Sequence, residues 1–339
     1  MKNTIIILDK NVYRNKEEEI RHRAGSLPLI FYYTEYEDDL IRKVCKWKYV
    51  GEILLHILYW FKSFRYAIKI YNENDGGRIV SINPIVGIFL GMLNKRQKYD
   101  ITLAGFLFEP KRNKLYYSAR VKLVSLFLKG IDTVVVYAEK EVEYYKKIFG
   151  VDKFQFVQYG IDYDVHEVYK GSIPVPCVFS GGRSNRDFHT LIEAYRKLNI
   201  SDKYSLCIAT RPVVLQNERL EGITVLKDVV LETFGNAMEQ AAFVVLPLMD
   251  TEISAGHQVL LEALERNMIV ITSRIEAVED YVTDEQVLFY EPGNETDLEE
   301  KMMMVIDDYQ FYRKKFSRNR EFYENHYTFI CFIERLLSV

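Results

Sequence analysis

A chain of 339 residues exceeds what one hydrophobic core usually fills, so two domains are the starting expectation. Apolar residues make up 48% and charged residues 27%, the balance of an ordinary globular protein, and a net charge of −3 gives no general electrostatic case for nucleic-acid binding. Cys45, Cys177, Cys207 and Cys331 lack CxxC spacing, which favours free thiols in a reducing compartment over disulfides or zinc ligands. Only four consecutive apolar residues precede Asp9, too few for a secretory leader, and no run approaches the roughly 18–20 that span a bilayer. A cytoplasmic protein is expected.

Taken in chain order, short β-branched and aromatic runs predict strands at 4–8, 29–33, 79–82, 101–106 and 133–137. Helical spacing marks 40–71, with a break, then 85–94 and 114–129. The stretch 157–176 carries Gly160, Gly171, Pro174 and Pro176 without helical periodicity and reads as an interdomain linker. Beyond it, apolar runs at 177–180, 205–209, 223–226, 243–246, 269–272 and 287–290 alternate with helical patterns at 187–198, 231–240, 256–265 and 297–308. Strands apolar on both faces and separated by helices indicate a parallel doubly wound sheet. In the tail, Phe316, Tyr323, Phe329, Phe332 and Leu336 fall at helical spacing and ask for a partner surface.

Two stretches carry chemistry. In Cys177-Val-Phe-Ser-Gly-Gly-Arg-Ser-Asn-Arg-Asp-Phe-His-Thr-Leu-Ile-Glu-Ala a buried strand ends in Gly181-Gly182, Arg183 and Arg186 follow, and an amphipathic helix starts at once. Glycines admit a ligand close to the backbone, a helix start offers free N–H groups, and guanidinium forks match phosphate oxygens. The set suits a diphosphate, although an ordinary strand-turn-helix corner with surface arginines has the same spacing. In Leu246-Pro-Leu-Met-Asp-Thr-Glu-Ile-Ser-Ala-Gly-His-Gln-Val-Leu-Leu-Glu a second strand opens into a polar loop before a helix beginning near Gly256. Ser254, Ala255 and Gly256 are small enough to leave amides accessible there. Glu262 lies two turns further on among Leu260, Leu261, Ala263 and Leu264. A carboxylate in apolar surroundings needs a specific partner, and a ribose diol supplies two hydroxyl donors; a Glu at the edge of an apolar face is the plainer alternative. Both loops follow the carboxyl ends of parallel strands, where open α/β sheets bind ligands.

These segments resemble the GT-B glycosyltransferases, glycosyltransferase family 4 (glycosyl transferases group 1) in particular. The run from Ser180 to Ala194 is similar to that family's Gly-Arg…Lys…Leu-Ile-Glu-Ala segment. Ser254-Ala-Gly-His-Gln-Val-Leu-Leu-Glu-Ala-Leu, with Met268-Ile-Val-Ile-Thr-Ser after it, resembles its E-x7-E segment and next strand. Gln158-Tyr-Gly-Ile-Asp is similar to the Asn-Gly-Val-Asp before its second domain. The likeness runs from about residue 156 to 295, and the first 150 residues match in architecture alone. It implies an α/β GT-B fold, two Rossmann-like doubly wound domains facing a central cleft. Residues 1–160 would bind the acceptor, 161–318 the nucleotide-sugar donor, and 319–339 would form a helix packing back on the first domain. The implied reaction moves a sugar from a UDP- or GDP-sugar to a glycan or lipid-linked acceptor with retention, as in bacterial surface-polysaccharide assembly.

Residue by residue, Arg183 matches the family's arginine on the donor diphosphate, and Arg186 falls at its lysine partner in a loop about two residues shorter. These two are the expected catalytic groups, stabilising the leaving nucleoside diphosphate. Gly181, Gly182, Ser254, Ala255, Gly256 and His257 would complete the donor site, with Leu226 and Lys227 where the family packs the nucleobase. Glu262 matches the second Glu of E-x7-E, the ribose ligand. Eight residues earlier, where the first Glu belongs, this chain has Ser254, with Glu252 as a possible substitute. No suitably placed Asp-x-Asp or His–carboxylate cluster asks for a metal, and no cofactor is expected.

Acceptor-side candidates are Glu109 in Phe106-Leu-Phe-Glu-Pro and Asp75 before Gly76-Gly77, whereas His56 reads as a packed or interfacial histidine. Basic residues interleave with Trp60, Phe61, Phe64 and Tyr66 across 54–69, and with aromatic and aliphatic residues across 111–129. That pattern suits peripheral contact with the inner face of an anionic membrane, or helices packed inside a domain with snorkelling lysines. It matches no nucleic-acid-binding motif. A partner subunit of the same fold that binds a nucleotide or glycan without catalysis is the alternative from another class.

Overall fold

The computed structural model describes residues 3–9, 13–36, 48–163, 169–171, 173–227 and 231–339. Cys45 and the first part of the helix expected from residue 40 lie outside that set. The chain divides into two compact units, Met1–Val157 with Ile333–Val339, and Gln158–Phe332.

The first unit runs β1 (Thr4–Asp9), α1 (Glu17–Ala24), β2 (Leu29–Thr34), α2 (Lys48–Glu73), β3 (Gly77–Ser81), α3 (Pro84–Leu93), β4 (Tyr99–Leu103), α4 (Lys114–Leu128), β5 (Thr133–Val136), α5 (Glu139–Phe149) and β6 (Phe154–Phe156). All six strands are parallel, in the order β2-β1-β3-β4-β5-β6. Ile5, Ile6, Ile7 and Leu8 are fully buried, which is why β1 reads as an unbroken apolar run. Chain direction across the sheet reverses between β1 and β3. Helices α2, α3, α4 and α5 pack each against the next in one layer. Helix α5 is not among the helices expected above, although Val142, Tyr145 and Phe149 fall at helical spacing. It starts at Ala138, which has no capping side chain, and Glu141 supplies the cap by accepting from the amides of Tyr137 (3.0 Å) and Ala138 (3.2 Å).

The second unit continues with β7 (Cys177–Gly181), α6 (Phe188–Leu198), β8 (Ser205–Ala209), β9 (Ile223–Val225), α7 (Leu231–Glu239), β10 (Phe243–Leu246), α8 (His257–Glu265), β11 (Val270–Ser273), α9 (Glu276–Glu279), β12 (Leu288–Tyr290), α10 (Glu295–Asp307), α11 (Tyr309–Lys315) and α12 (Asn319–His326), and the last helix, α13 (Phe329–Ser338), belongs to the first unit from Ile333 on. Its sheet is again six parallel strands, β12-β11-β10-β7-β8-β9. The order reverses between β7 and β10, so the two loops singled out in the sequence flank the topological switch point. A core built on Leu191, Ile192, Ile208, Val245, Ile271 and Met302 holds α6 and α10 to one face, while α8 packs with α7 and α12. These helices come from sequences with a clear apolar stripe, which is why both turns are held rigidly.

Two expectations change. Of the stretch read as a linker, Val157 stays with the first unit, its amide donating to Val136 O (3.1 Å), and Gln158, Tyr159 and Tyr163 are bonded into the second. Gln158 donates to Asp280 O (2.7 Å), Tyr159 N to the Tyr281 hydroxyl (2.8 Å) and Tyr163 to Gln258 O (2.5 Å). The tail expected as one helix over 319–339 is two. Asn319 ties α12 to Gln286 O (2.8 Å) within the second unit, and Arg78 of the first unit donates to Leu336 O and Leu337 O at 2.7 and 2.6 Å. The break falls at Tyr327-Thr328, where the Tyr327 ring is buried and its hydroxyl donates to Tyr281 O.

Candidate functional site

Strand register builds the site. Gly181 of β7 pairs with Ala209 of β8, the Gly182 amide donates to Ala209 O (3.1 Å), and the Thr210 hydroxyl donates to Gly182 O (2.6 Å). Arg183 and Arg211 each follow one residue beyond this linked pair. Both are exposed and form no ion pair with a described residue. Arg211 was not a sequence candidate, because Thr210-Arg-Pro carries no glycine signal. Pairing the adjacent runs 177–181 and 205–209 in register is what exposes it.

Arg186 is placed differently from Arg183. It is 7% exposed, donates Nε to Gly181 O (2.8 Å) and Nη1 to Ser184 O (2.7 Å), and burial draws its pKa down to about 10. Still charged at neutral pH, it shapes the turn and keeps a desolvated positive charge there. Gly182 makes that possible. Its φ of +106° belongs to the left-handed region, and a Cβ would collide with the Arg186 guanidinium.

One element of the anion site differs from expectation. The start of α6 is not open, since Asp187 caps it, accepting from the Thr190 amide (3.1 Å) and hydroxyl (2.6 Å). At this turn the arginine side chains, not the helix start, are the groups open to an anion. At α8 the opposite holds. Gly256 is the N-cap, with φ of +94°, and no side chain caps the helix. A helix start without a side-chain cap keeps its positive end, the kind of feature that suits an anion.

The two turns are joined. Arg186 bridges Leu248, the Asp187 amide donates to Pro247 O (3.1 Å), and the Met249 amide to Asn185 O (3.0 Å). The Asn185 side chain bonds Thr251 Oγ1 (2.8 Å) and Ile253 O (2.9 Å), and the Leu248 amide donates to buried Ser273 Oγ (2.8 Å). Ser254, Ala255 and Gly256 are half-buried just beyond, and Glu252 is exposed.

Glu262 is buried between α8 and α7. A Cβ on Gly235 of α7 would collide with its carboxylate and with the Arg266 guanidinium. Arg266 pairs with Glu239 at 2.5 Å and only at 3.4 Å with Glu262. Burial outweighs this distant cation and raises the Glu262 pKa to about 7. Such a carboxyl is short of donors, which is what a vicinal diol supplies.

His257 does not face the loop with its ring. It is buried, its Nε2 lies 3.1 Å from Ala277 O, and it stacks on Tyr281 at 4.4 Å. Leu226 is buried with its amide on Ile208 O (2.9 Å), and exposed Lys227 follows it, so both continue the same carboxyl edge past β9.

In the first unit, Glu109 is exposed in the loop after β4, ion-paired with Lys111 at 3.2 Å. Asp75 precedes β3 and so lies at the amino edge of its sheet, opposite the edge where open α/β sheets bind ligands. His56 is exposed on α2.

Comparison with known proteins agrees with this geometry. Residues 176–308 match the family model described as Glycosyl transferases group 1. Similar solved structures include sucrose-phosphate synthase from Thermosynechococcus elongatus, at 13% identity, TM-score 0.61, covering 99% of this chain and 98% of that one. A glycosyltransferase from Rickettsia africae is similar at 14% identity and TM-score 0.59, over 99% and 97%. Anabaena Alr3699/HepE in complex with UDP and glucose is similar at 9% identity and TM-score 0.64, over 100% and 99%. No curated protein matches the chain in sequence. The fold is GT-B: two parallel, doubly wound α/β units, the second bearing the resemblance to glycosyl transferases group 1.

Proposed function

We propose that the protein is a nucleotide-sugar-dependent glycosyltransferase whose second unit grips the donor. The observation that carries this reading is the pair of joined turns at the β7–β10 switch point, one bearing Arg183 and Arg186, the other ending in an uncapped helix start. Arg211, on the neighbouring strand, completes a cationic rim. In the proposed reaction an acceptor hydroxyl oxygen bonds to the anomeric carbon as the bond from that carbon to the diphosphate breaks; the hydroxyl proton passes to the leaving phosphate oxygen or to solvent, and negative charge grows on the departing nucleoside diphosphate. Arg183, Arg211, the buried charge of Arg186 and the start of α8 stabilise that charge, the task a divalent cation performs elsewhere. Glu262 accepts from the ribose hydroxyls.

UDP is the nucleotide to test first, because it is present in the similar Anabaena structure. A glycan or lipid-linked acceptor, retention of configuration, and a place in surface-polysaccharide assembly are the finer parts of the proposal and rest on family resemblance. Calorimetric titration with UDP and GDP, followed by turnover of a panel of nucleotide-sugars, tests it. Binding should be lost from an Arg183→Ala, Glu262→Ala double variant, and equal weak binding by wild type and double variant would overturn the donor site. Tight binding without transfer to any acceptor would favour a non-catalytic partner subunit, the reading that Ser254 in place of the family's first glutamate supports.

A further inference from the structure

Among the described residues, the helix layer of the first unit carries many exposed apolar side chains. Of the 19 exposed large hydrophobic side chains among the described residues, 11 lie between Leu54 and Leu126, on α2, α4 and the loop before α4. Ile57, Phe61 and Ile68 recur at helical spacing along α2, and Ile57 is 59% exposed. Leu115, Leu123 and Leu126 do the same along α4, with Leu115 at 85%. The opposite side of α2 is apolar too, since Ala67 and Ile70 are fully buried in the domain core. A helix apolar on both sides calls for a second apolar surface.

Charge says what the partner is. Residues 54–129 hold 13 Lys and Arg against four Asp and Glu, in a chain whose net charge is −3. Lys62 and Arg65 flank the apolar stripe of α2, Lys122 and Lys129 that of α4, and none of the four forms an ion pair with a described residue. The centre of a protein–protein interface is depleted in lysine, whereas lysines threaded through an apolar helix face are the pattern of helices lying on anionic lipid. Their alkyl stems lie along the apolar surface and their ammonium groups reach the headgroups. Among the described residues no helix is long and apolar enough to cross a membrane, so contact is lateral.

We propose that the exposed face of α2 and α4 docks on an anionic lipid surface, with Ile57, Phe61, Leu115 and Leu123 entering the headgroup region and the flanking lysines and arginines paired with lipid phosphates. The proposal is independent of the donor site in the second unit.

Flotation of the full chain with phosphatidylglycerol–phosphatidylcholine vesicles at low salt tests it. The protein should float with these vesicles, release as salt is raised, and stay behind with phosphatidylcholine alone. A Phe61→Ser, Leu123→Ser variant should float poorly, and a Lys122→Glu, Lys129→Glu variant at least about tenfold less, since one basic residue at such a surface is worth roughly fivefold. Both pairs are solvent-facing, and circular dichroism with nucleotide affinity would report an intact fold. Failure of wild type to float with anionic vesicles at low salt overturns the proposal. So does undiminished flotation of both variants, or a concentration-dependent dimer that the Phe61→Ser, Leu123→Ser change dissolves.

Discussion

The two units share six parallel strands and a switch point, yet the edges where those strands end have opposite character. In the second unit the edge is lined by Gly181, Gly182 and Gly256, carries Arg183 and Arg211 unpaired among the described residues, and leaves α8 uncapped. In the first unit, among the described residues, the end of β3 is filled by the protein's own groups. Asn83 caps α3 by accepting from Ile85 N (3.2 Å) and Val86 N (3.1 Å), and its amide donates to Tyr36 (3.1 Å) and Tyr59 (3.2 Å). Tyr36 in turn bonds Ser63 at 2.8 Å, and burial lifts its pKa well above the usual tyrosine range. One fold thus yields a strand end bonded to its own side chains and an open, cationic one, and the difference lies in loop residues.

Breaking the cationic edge should have the largest effect. Arg183→Ala with Arg211→Ala should weaken nucleoside-diphosphate binding by about 100-fold or more, and either change alone by roughly tenfold, given about 1.5–3 kcal/mol per charged hydrogen bond. Titration calorimetry checks this, and an unchanged affinity for Arg211→Ala would remove that residue from the rim. Next comes Gly182→Ala, which meets both an unfavourable φ and the Arg186 guanidinium. A loss of about 1–3 kcal/mol in denaturant unfolding is expected, together with weaker binding.

Smaller but more diagnostic is the pH dependence set by Glu262. Its pKa of about 7 lies above the ordinary 4.5, so the folded state holds this proton more tightly than the unfolded one. Its contribution to stability is therefore complete below about 4.5 and lost as pH rises through 7. Ribose hydroxyls favour the ionised carboxylate, so nucleotide affinity should fall as pH drops below about 7, and Glu262→Gln should remove that component of the slope. A wild-type profile identical to that of the variant would mean that Glu262 only staples α8 to α7 through Arg266. The smallest effect on binding belongs to Asn83→Ala. It should destabilise the first unit by about 1–3 kcal/mol through lost caps and buried hydrogen bonds while leaving nucleotide affinity unchanged.

Much of the second unit was legible because its strands are buried on both faces and its helices carry clear stripes. The runs 205–209 and 243–246 fall on β8 and β10 as read, and the helix starts differ by about a residue or two because Asp187 and Gly256 are caps. The residues of both turns were legible too, through Gly-Gly-Arg and Ser-Ala-Gly. What each does was not. That Asp187 closes α6, that Arg186 is buried against Gly182, and that His257 turns toward Ala277 are tertiary facts that no spacing encodes. Arg211 needed strand register. In the first unit the cap of α5 comes from Glu141 inside the helix, and Asp75 lies ahead of β3, at the amino edge, as its place before the run 79–82 already implied.

The central claim is that the donor grip belongs to the open edge of the second unit. Amide hydrogen exchange of the whole chain with and without UDP tests it most directly. Protection on binding should appear at 181–187, 210–212 and 254–260, with none at 82–86. Protection confined to the first unit, or absent at saturating UDP, would contradict the account.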